Sequence, residues 1–324
     1  MSWLKYKNSI LKRQNVVLLA VLIVGLVAGW FLRDLFLDFN LYANHSLRET
    51  SSRYKFIYPL LAGADSGLNR DFNDLESILA AKIASQIKAN KIINASVYYR
   101  DLKDSRWAGV NEGVQYSPAS MFKLVTAFSL LKQALIKTDL LDNKVTINFK
   151  NKSSQTYTVG QLIKFMLIDS DNSAKDVLES LIKPDERKLI FTDLGLDYVD
   201  VNDGGDVISP QKYSIFFRVL FNATYLGPEL SERTLSVLAD ATFKDGLVAG
   251  VPKNVVVSHK FGYRVFDDKD PNSLRELHDC GIVYYPNHPY LLCVMTKGTN
   301  YDNLKNTIKD LSAIVYDYNL VHYR

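Results

Sequence analysis

The pattern of apolar and polar positions separates an N-terminal apolar run from a long region with helical and strand patterns. Apolar residues at helical spacing predict one helix over about 69–89 and another over about 303–318. A mostly helical block lies between two groups of predicted strands. This order predicts an α+β fold in which an antiparallel sheet packs beside helices from both ends of the region. Short apolar runs place the strands at residues 95–99, near Trp107, and at 255–259, 280–285 and 290–295.

The apolar run at residues 16–32, VVLLAVLIVGLVAGWFL, has no charged or strongly polar side chain. As a helix it would be about 26 Å long, which suffices for a bilayer core of about 30 Å. The preceding 14 residues carry four basic side chains and no acidic one, and the positive-inside rule keeps such a tail in the cytoplasm. A cleaved signal peptide is the alternative, although the run lacks an Ala-x-Ala site. We expect a cytoplasmic tail at 1–14, a transmembrane signal-anchor at 15–32, a stalk at 33–68 and one extracytoplasmic domain at 69–320.

Composition and charge exclude several classes of protein. Of the 324 residues, 47% are hydrophobic and 23% are charged, which excludes a mainly disordered chain. The net charge of +4 equals the charge of the first 14 residues, so the rest of the chain is neutral and has no electrostatic motive for binding nucleic acid. Cys280 and Cys293 are too few for a disulfide scaffold, and a single disulfide and two buried thiols both remain open. No metal-binding pattern occurs, and we expect neither a metal nor an organic cofactor.

The first candidate for chemistry is Ser120-Met121-Phe122-Lys123, at the start of a very apolar predicted helix. The chain contains eight Ser-x-x-Lys sequences, so the setting rather than the spacing distinguishes this one. A lysine on a buried helix loses hydration, which lowers its pKa, and it can then take a proton from a serine one turn earlier. The alternative is a core helix whose lysine reaches the surface.

Two further polar groups stand at the ends of predicted elements. Ser170-Asp171-Asn172 ends a helical run, where Ser, Asp and Asn also serve as helix caps, and capping is the simpler alternative. Lys260-Phe261-Gly262 follows an apolar strand, where a lysine can also guard a sheet edge. A Ser-His-Asp triad would need one of the five histidines, and none of them lies in a recognisable triad context.

Ser-x-x-Lys, Ser-Asp-Asn and Lys-x-Gly occur here in the order that is typical of penicillin-recognising serine enzymes. On these motifs the chain resembles the class A β-lactamase and penicillin-binding-protein family of serine hydrolases over about residues 55–320. The resemblance implies a five-stranded antiparallel sheet beside a mostly helical subdomain. It also implies that Ser120 is the acylated nucleophile, that Lys123 accepts its proton and that Lys260 supplies positive potential.

The same resemblance implies roles for the neighbouring positions. Ser170 would relay a proton to the leaving nitrogen, and Asn172 would hold Lys123 and the substrate amide. The backbone N–H groups of Ser120 and Tyr263 would form the oxyanion hole. The remaining substrate-binding positions would be Phe261, Gly262 and Arg264.

The chain departs from the family pattern at two points. Phe261 occupies a position where the family has a hydroxyl residue, and a phenyl ring cannot hydrogen-bond a substrate carboxylate, which leaves Arg264 as the candidate replacement. No glutamate occurs between Glu186 and Glu229, where the family has the glutamate that activates the deacylating water. The loop at 193–209 offers only aspartates, so the sequence does not predict fast deacylation.

Together these features predict a membrane-anchored, extracytoplasmic serine acyl-hydrolase that forms an ester on Ser120. Its expected substrate is a β-lactam or a peptidoglycan-type peptide. A D,D-peptidase without efficient β-lactam turnover is one alternative, and a non-catalytic envelope binding protein that keeps the fold is another. The sequence leaves the oligomeric state open.

Overall fold

The computed structural model describes residues 25, 47–48, 53–62, 71–147, 154–198 and 207–323. The chain divides into two compact units, and the smaller one covers Met1–Arg48 and Leu60–Asp65. It contains an antiparallel pair of short strands, β1 (Leu47–Arg48) and β2 (Leu60–Ala62). Among the described residues, no helix is long and apolar enough to cross a membrane. The predicted tail and the predicted anchor lie, apart from Gly25, outside the described residues.

The larger unit covers Glu49–Pro59 and Ser66–Arg324 and contains the central sheet with its helices. The helices predicted at about 69–89 and 303–318 and the strands predicted at 95–99, near Trp107 and at 290–295 are present close to those positions. The strand predicted at 280–285 is present but begins five residues earlier, at Arg275. In chain order the elements are α1 (Asn73–Lys88), β3 (Asn94–Asp101), β4 (Trp107–Val110), α2 (Lys123–Ala134), β5 (Lys144–Ile147), β6 (Gln155–Thr158), α3 (Val159–Ile168), α4 (Asn172–Ser180), α5 (Pro184–Asp193), α6 (Pro210–Phe221), α7 (Gly227–Ala239), β7 (Val257–Val265), β8 (Arg275–Val283), β9 (Tyr290–Gly298) and α8 (Tyr301–His322).

The central sheet is antiparallel throughout, with the strand order β4-β3-β9-β8-β7. The predicted five-stranded antiparallel sheet is therefore confirmed. Because successive side chains of a strand point to opposite faces, each strand supplies two cores. Val97 and Tyr99 of β3 join the core beneath α1 and α8, and Tyr98 joins the core beneath the helical block. β7 is an edge strand, and the one-turn 3₁₀ helix Ala119–Phe122 packs against it.

Two further parts of the secondary structure differ from the sequence prediction. The helical block contains a hairpin, β5–β6, which was missed because its strands are short, polar and half-exposed and carry no apolar run. The predicted strand at 255–259 begins at Val257 and continues to Val265. Its second half lies at the open edge and alternates polar with aromatic residues, so it gives no continuous apolar signal. As a result the whole Lys-x-Gly motif lies on β7.

Residues 55–57 of the predicted stalk belong to the larger unit and are packed in it. Phe56 and Ile57 are buried in the core beneath the helical block. The carboxylate of Glu232 on α7 accepts hydrogen bonds from the backbone N–H groups of Lys55, Phe56 and Ile57 at 2.8, 2.9 and 3.1 Å. These contacts tie residues 55–57 to the same unit that contains the sheet.

Candidate active site

The Ser-x-x-Lys motif lies in residues 117–122, which we call the nucleophile turn, and in the first residue of α2. Ala119 has a φ of 47°, a left-handed conformation that costs a non-glycine residue roughly 1–2 kcal/mol. The 3₁₀ helix that starts there continues as α2, whose residues are almost all buried. This geometry places Lys123 Nζ 3.2 Å from Ser120 Oγ. A strained residue directly before a serine that is hydrogen-bonded to a lysine is typical of a functional site.

Lys123 is almost completely buried, with 3% of its surface exposed. Its Nζ donates to Ser170 Oγ at 3.1 Å, to Asn172 Oδ1 at 2.7 Å and to the carbonyl oxygen of Ser170. None of these partners is a carboxylate. Burial, helped by the positive charge of Lys175, lowers the pKa of Lys123 from 10.5 to about 8. A neutral amine, which can act as a base, is therefore available near neutral pH.

The Ser-Asp-Asn motif joins α3 to α4, and its three residues have different roles. Asp171 caps α4, because its side chain accepts a hydrogen bond from Ala174 N at 2.7 Å. Ser170 has a φ of 55°, and in this conformation both its carbonyl and its hydroxyl oxygen face Lys123 Nζ. The capping interpretation is thus correct for Asp171, whereas Ser170 and Asn172 contact the catalytic candidate.

Lys260 of β7 contacts the group of Ser120, Lys123, Ser170 and Asn172 from the sheet side, through Ser170. It is 1% exposed, and its Nζ donates to Ser170 Oγ at 3.1 Å and to the carbonyl oxygen of Phe261 at 3.2 Å. Burial and the nearby Lys123 lower the pKa of Lys260 from 10.5 to about 7. Ser170 Oγ therefore bridges two lysines whose charged forms are both disfavoured. Such a bridge can pass a proton between them.

Gly262 allows β7 to approach the nucleophile turn closely. A Cβ atom at this position would lie 2.6 Å from the carbonyl oxygen of Pro118 and 2.8 Å from Met121 Cγ. These distances are far shorter than van der Waals contact, so any side chain would push the strand away from Ser120. The glycine of the Lys-x-Gly motif is thus explained by packing.

The register of β7 shows where the backbone N–H of Tyr263 points. At one end of the β7–β8 pair Tyr284 N donates to Val256 O, and at the other end Phe266 N donates to Leu274 O. Hydrogen-bonded positions alternate along an antiparallel pair, so the even-numbered residues of β7 pair with β8. The N–H of Tyr263 therefore points off the sheet edge. Because the nucleophile turn packs against this strand, that N–H is available as an oxyanion donor.

Phe261 and Arg264 lie on opposite faces of β7, because successive side chains of a strand alternate. The ring of Phe261 stacks on Phe243, with centroids 4.3 Å apart and planes inclined by 22°. Arg264 Nη1 donates to Ser117 Oγ at 2.8 Å, and its guanidinium lies 4.6 Å from the centroid of Phe266. Phe243 could not be found from the sequence, since it lies in a loop 18 residues before its partner.

A buried polar group that the sequence did not reveal holds the nucleophile turn. Glu276 Oε2 accepts a hydrogen bond from Ser117 N at 3.0 Å, and the Nε2 of His278 lies 3.0 Å from the carbonyl oxygen of Ser117. Lys297 pairs with the other oxygen of Glu276 at 2.9 Å. Glu276 and His278 are both fully buried on β8. They fix the backbone three residues before Ser120.

The other sequence candidates lie elsewhere. His259 pairs with Asp279 at 2.7 Å, fully buried, so a Ser-His-Asp triad gains no support from its contacts. In the 193–209 loop, Asp193 accepts from Tyr225 and Asp197 pairs with Lys212, and 199–206 lie outside the described residues. No group that could hold a metal ion occurs in the part of the chain that the structure describes.

Cys280 and Cys293 face each other across β8 and β9 and are paired as a disulfide. Their positions are in direct register, with Cα atoms 4.0 Å apart. Of the two states that the sequence left open, a disulfide and two free thiols, the structure has the disulfide.

The fold is that of serine hydrolases of the β-lactamase type, and Ser120 and Lys123 are paired within it. A family model described as "Beta-lactamase enzyme family" matches residues 78–319, and the chain belongs to this family. The predicted family is therefore confirmed. No curated protein matches the chain.

Solved structures with the same fold share little sequence with this chain. PBP-A is 20% identical with a TM-score of 0.65, over 78% of this chain and 98% of that one. A class A β-lactamase from Bacteroides cellulosilyticus is 20% identical with a TM-score of 0.64, over 75% of this chain and 97% of that one. A β-lactamase from Burkholderia phymatum is 19% identical with a TM-score of 0.64, over 75% and 98%. At this identity the likeness shows the fold alone.

Proposed function

We propose that the chain catalyses acyl transfer through an ester on Ser120, with a β-lactam or a peptidoglycan-type peptide as acyl donor. The observation that carries this proposal is the hydrogen-bonded chain Ser120–Lys123–Ser170–Lys260, in which two buried lysines have lowered pKa values. A PBP-A variant has been solved as an acyl-enzyme complex with penicillin G, which supports the same chemistry for this fold.

In the first step, Ser120 Oγ attacks the carbonyl carbon of the donor and forms a C–O bond. The hydroxyl proton passes to the neutral Nζ of Lys123, which lies 3.2 Å away. The carbonyl electron pair moves onto oxygen, where the N–H groups of Ser120 and Tyr263 stabilise the negative charge. The nucleophile turn starts the helix that carries Lys123, and the positive end of the helix dipole also favours this charge.

In the second step, the C–N bond of the donor breaks and the nitrogen takes a proton. Ser170 Oγ lies 3.1 Å from both Lys123 Nζ and Lys260 Nζ, so it donates its proton to the nitrogen and regains one from a lysine. The products are an acyl ester on Ser120 and an amine, which leaves when the donor is a peptide and stays attached to the acyl group when the donor is a β-lactam. Since no loop glutamate is present to activate water, we expect this ester to hydrolyse slowly.

We also propose that residues 15–32 anchor the chain in the cell membrane with the domain outside the cytoplasm. The basic tail before the apolar run supports this orientation. The disulfide between Cys280 and Cys293 supports it independently, because such bonds persist in oxidising compartments. Protease added to intact cells without a wall should digest the domain and leave an N-terminal stub. Full protection of the domain would contradict the orientation.

The test of acylation is intact-mass spectrometry of the full-length protein in detergent, with and without benzylpenicillin. We expect a stable adduct that disappears in Ser120→Ala and forms roughly 10²–10⁴-fold more slowly in Lys123→Ala, the usual contribution of general-base catalysis. Ser129→Ala is the matched control. Ser129 begins another Ser-x-x-Lys sequence on α2, but its hydroxyl donates to Val125 O at 3.0 Å and is used structurally.

The outcomes separate the alternatives. A stable adduct on Ser120 supports a penicillin-binding enzyme. Turnover of benzylpenicillin without an adduct indicates a fast-deacylating β-lactamase. If neither an adduct nor turnover is found, the chain acts on another donor or only binds. Labelling that is lost in Ser129→Ala but kept in Ser120→Ala would show that the assigned nucleophile is wrong.

A further inference from the structure

The first residue of the nucleophile turn, Ser117, is held by three side chains of β7 and β8. Its backbone N–H donates to Glu276 Oε2 at 3.0 Å, and its hydroxyl oxygen accepts from Arg264 Nη1 at 2.8 Å. Its carbonyl oxygen accepts from His278 Nε2 at 3.0 Å. The proton of His278 lies on Nε2, because Nδ1 accepts from Thr296 N at 3.3 Å. All three polar groups of Ser117 are therefore engaged by the sheet.

Glu276 is fully buried and yet charged. Burial opposes its ionisation, but His278 and Lys297 outweigh this effect and lower the pKa of Glu276. Lys297 lies directly opposite on β9, with its Nζ 2.9 Å from Glu276 Oε1. The hydrogen bond from Ser117 N is thus made to an ionised carboxylate, and such bonds are about twice as strong as neutral ones.

The helical block holds the same turn at two further points. The hydroxyl of Tyr213 on α6, which is fully buried, donates to Met121 O at 2.8 Å. Burial raises the pKa of Tyr213 well above its usual range, so this hydroxyl stays a donor. Just before α6, Ile208 O accepts from Tyr116 N at 2.9 Å. The backbone is therefore held both before and after the nucleophile.

These contacts oppose the strain at Ala119, whose φ of 47° is left-handed. A residue keeps such a conformation only when the surrounding structure holds it there. The same turn carries the reacting hydroxyl of Ser120 and the N–H of that residue for the oxyanion. A misplacement of about 1 Å at a reacting group can cost roughly 100-fold in rate. A turn that relaxed would displace both groups together.

We propose that Glu276 and Tyr213 are positioning residues for acylation, which hold the strained nucleophile turn so that Ser120 stays beside Lys123. This inference rests on the proposed acylation of Ser120. Both side chains act on the backbone of the turn, at Ser117 and at Met121. Their loss should therefore slow the acylation step and leave the binding of the donor unchanged.

The test measures acylation of the full-length protein in detergent by benzylpenicillin. Intact mass at several donor concentrations separates the acylation rate constant from the Kd of the donor. Glu276→Met keeps the length of the side chain but removes the acceptor, and it should lower the rate constant roughly 10- to 100-fold with Kd unchanged. Glu276→Gln keeps an oxygen acceptor and should restore most of this loss. Tyr213→Phe removes only the hydroxyl and should lower the rate constant about 2- to 10-fold, as expected for one neutral hydrogen bond.

Two matched controls separate positioning from a general loss of stability. Tyr99→Phe removes another fully buried hydroxyl, which donates to Asn319 Oδ1 at 2.9 Å on the face of the sheet that packs against α8. Glu232→Met removes a carboxylate that also accepts from backbone N–H groups, but those of residues 55–57. Both controls should lower Tm and leave the acylation rate constant at the wild-type value.

Wild-type rate constants in folded Glu276→Met and Tyr213→Phe would overturn the proposal. It would also fail if the two controls slowed acylation as much, since a loss of stability would then explain the effect. Tyr213→Phe keeps the test available if Glu276→Met does not fold. If benzylpenicillin does not label Ser120 of wild type, by comparison with Ser120→Ala, the proposed function itself fails, which is a distinct result.

Discussion

Replacing Lys260 with methionine should slow acylation and yet stabilise the folded protein at low pH. The pKa of Lys260 falls from 10.5 to about 7 on folding, and this shift corresponds to roughly 5 kcal/mol against the charged form in the folded state. Lys260→Met removes this penalty, but it also removes the hydrogen bonds to Ser170 Oγ and Phe261 O, at about 1 kcal/mol each. The expected net gain is about 2–3 kcal/mol near pH 6. For a domain of this size that is roughly 4–10 °C in Tm.

The sign of the pH dependence makes the prediction specific. Between about pH 7 and pH 10 the unfolded chain holds a proton on Lys260 that the folded chain has lost, so wild-type stability rises with pH in this window. Lys260→Met lacks this contribution, so its advantage should shrink by about 1.4 kcal/mol per pH unit and be close to zero by about pH 9. The stability difference between Lys260→Met and wild type is measured by thermal unfolding of both proteins at several pH values. Lys253→Met, at an exposed position, is the control. A variant that melts below wild type near pH 6, or a gap that does not shrink with pH, would refute the reasoning.

Three further predictions follow from the same contacts. The acylation rate with an uncharged donor should rise with pH through about 8 and then level off, because Lys123 acts as a base only when neutral, and a falling rate would contradict this. Gly262→Ala should slow acylation and lower the free energy of unfolding by about 1–3 kcal/mol, because its Cβ would collide with the nucleophile turn. Gly113→Ala, where a Cβ has no atom within 4 Å, should change neither quantity. Replacing Cys280 and Cys293 with alanine should lower stability by about 3 kcal/mol in denaturant titrations, as expected for a link that closes a 13-residue separation, and unchanged stability would argue against the bond.

The sequence could predict those contacts of the site that join residues close together in the chain. Ser120 and Lys123 are one turn apart on one helix, so their contact follows from helical geometry. The five strands were predicted because buried strands carry continuous apolar runs. The order of the three motifs then indicated the family. The family in turn predicted a contact between Ser170 and Lys260, which are 90 residues apart.

The parts that the sequence could not predict depend on contacts between distant residues or on weak patterns. Phe243 stacks on Phe261 from a loop with no periodicity. Glu276 holds the backbone of Ser117 across 159 residues, and a single buried glutamate on a strand gives no sign of its partner. The β5–β6 hairpin is too short and polar to produce a strand signal. Each of these features is determined by tertiary packing, which one sequence does not display.

Several unfavourable local features of this domain lie where acyl transfer would occur. Ala119 and Ser170 both hold left-handed conformations, and Lys123 and Lys260 are both buried without a carboxylate among their hydrogen-bond partners. Each costs on the order of 1 kcal/mol or more, and ordinary substitutions would relieve it. A protein that only binds a ligand needs none of these features, whereas a proton-transfer chain needs the lysines desolvated and the serines fixed. These features therefore favour an enzyme over a binding protein that has lost its chemistry.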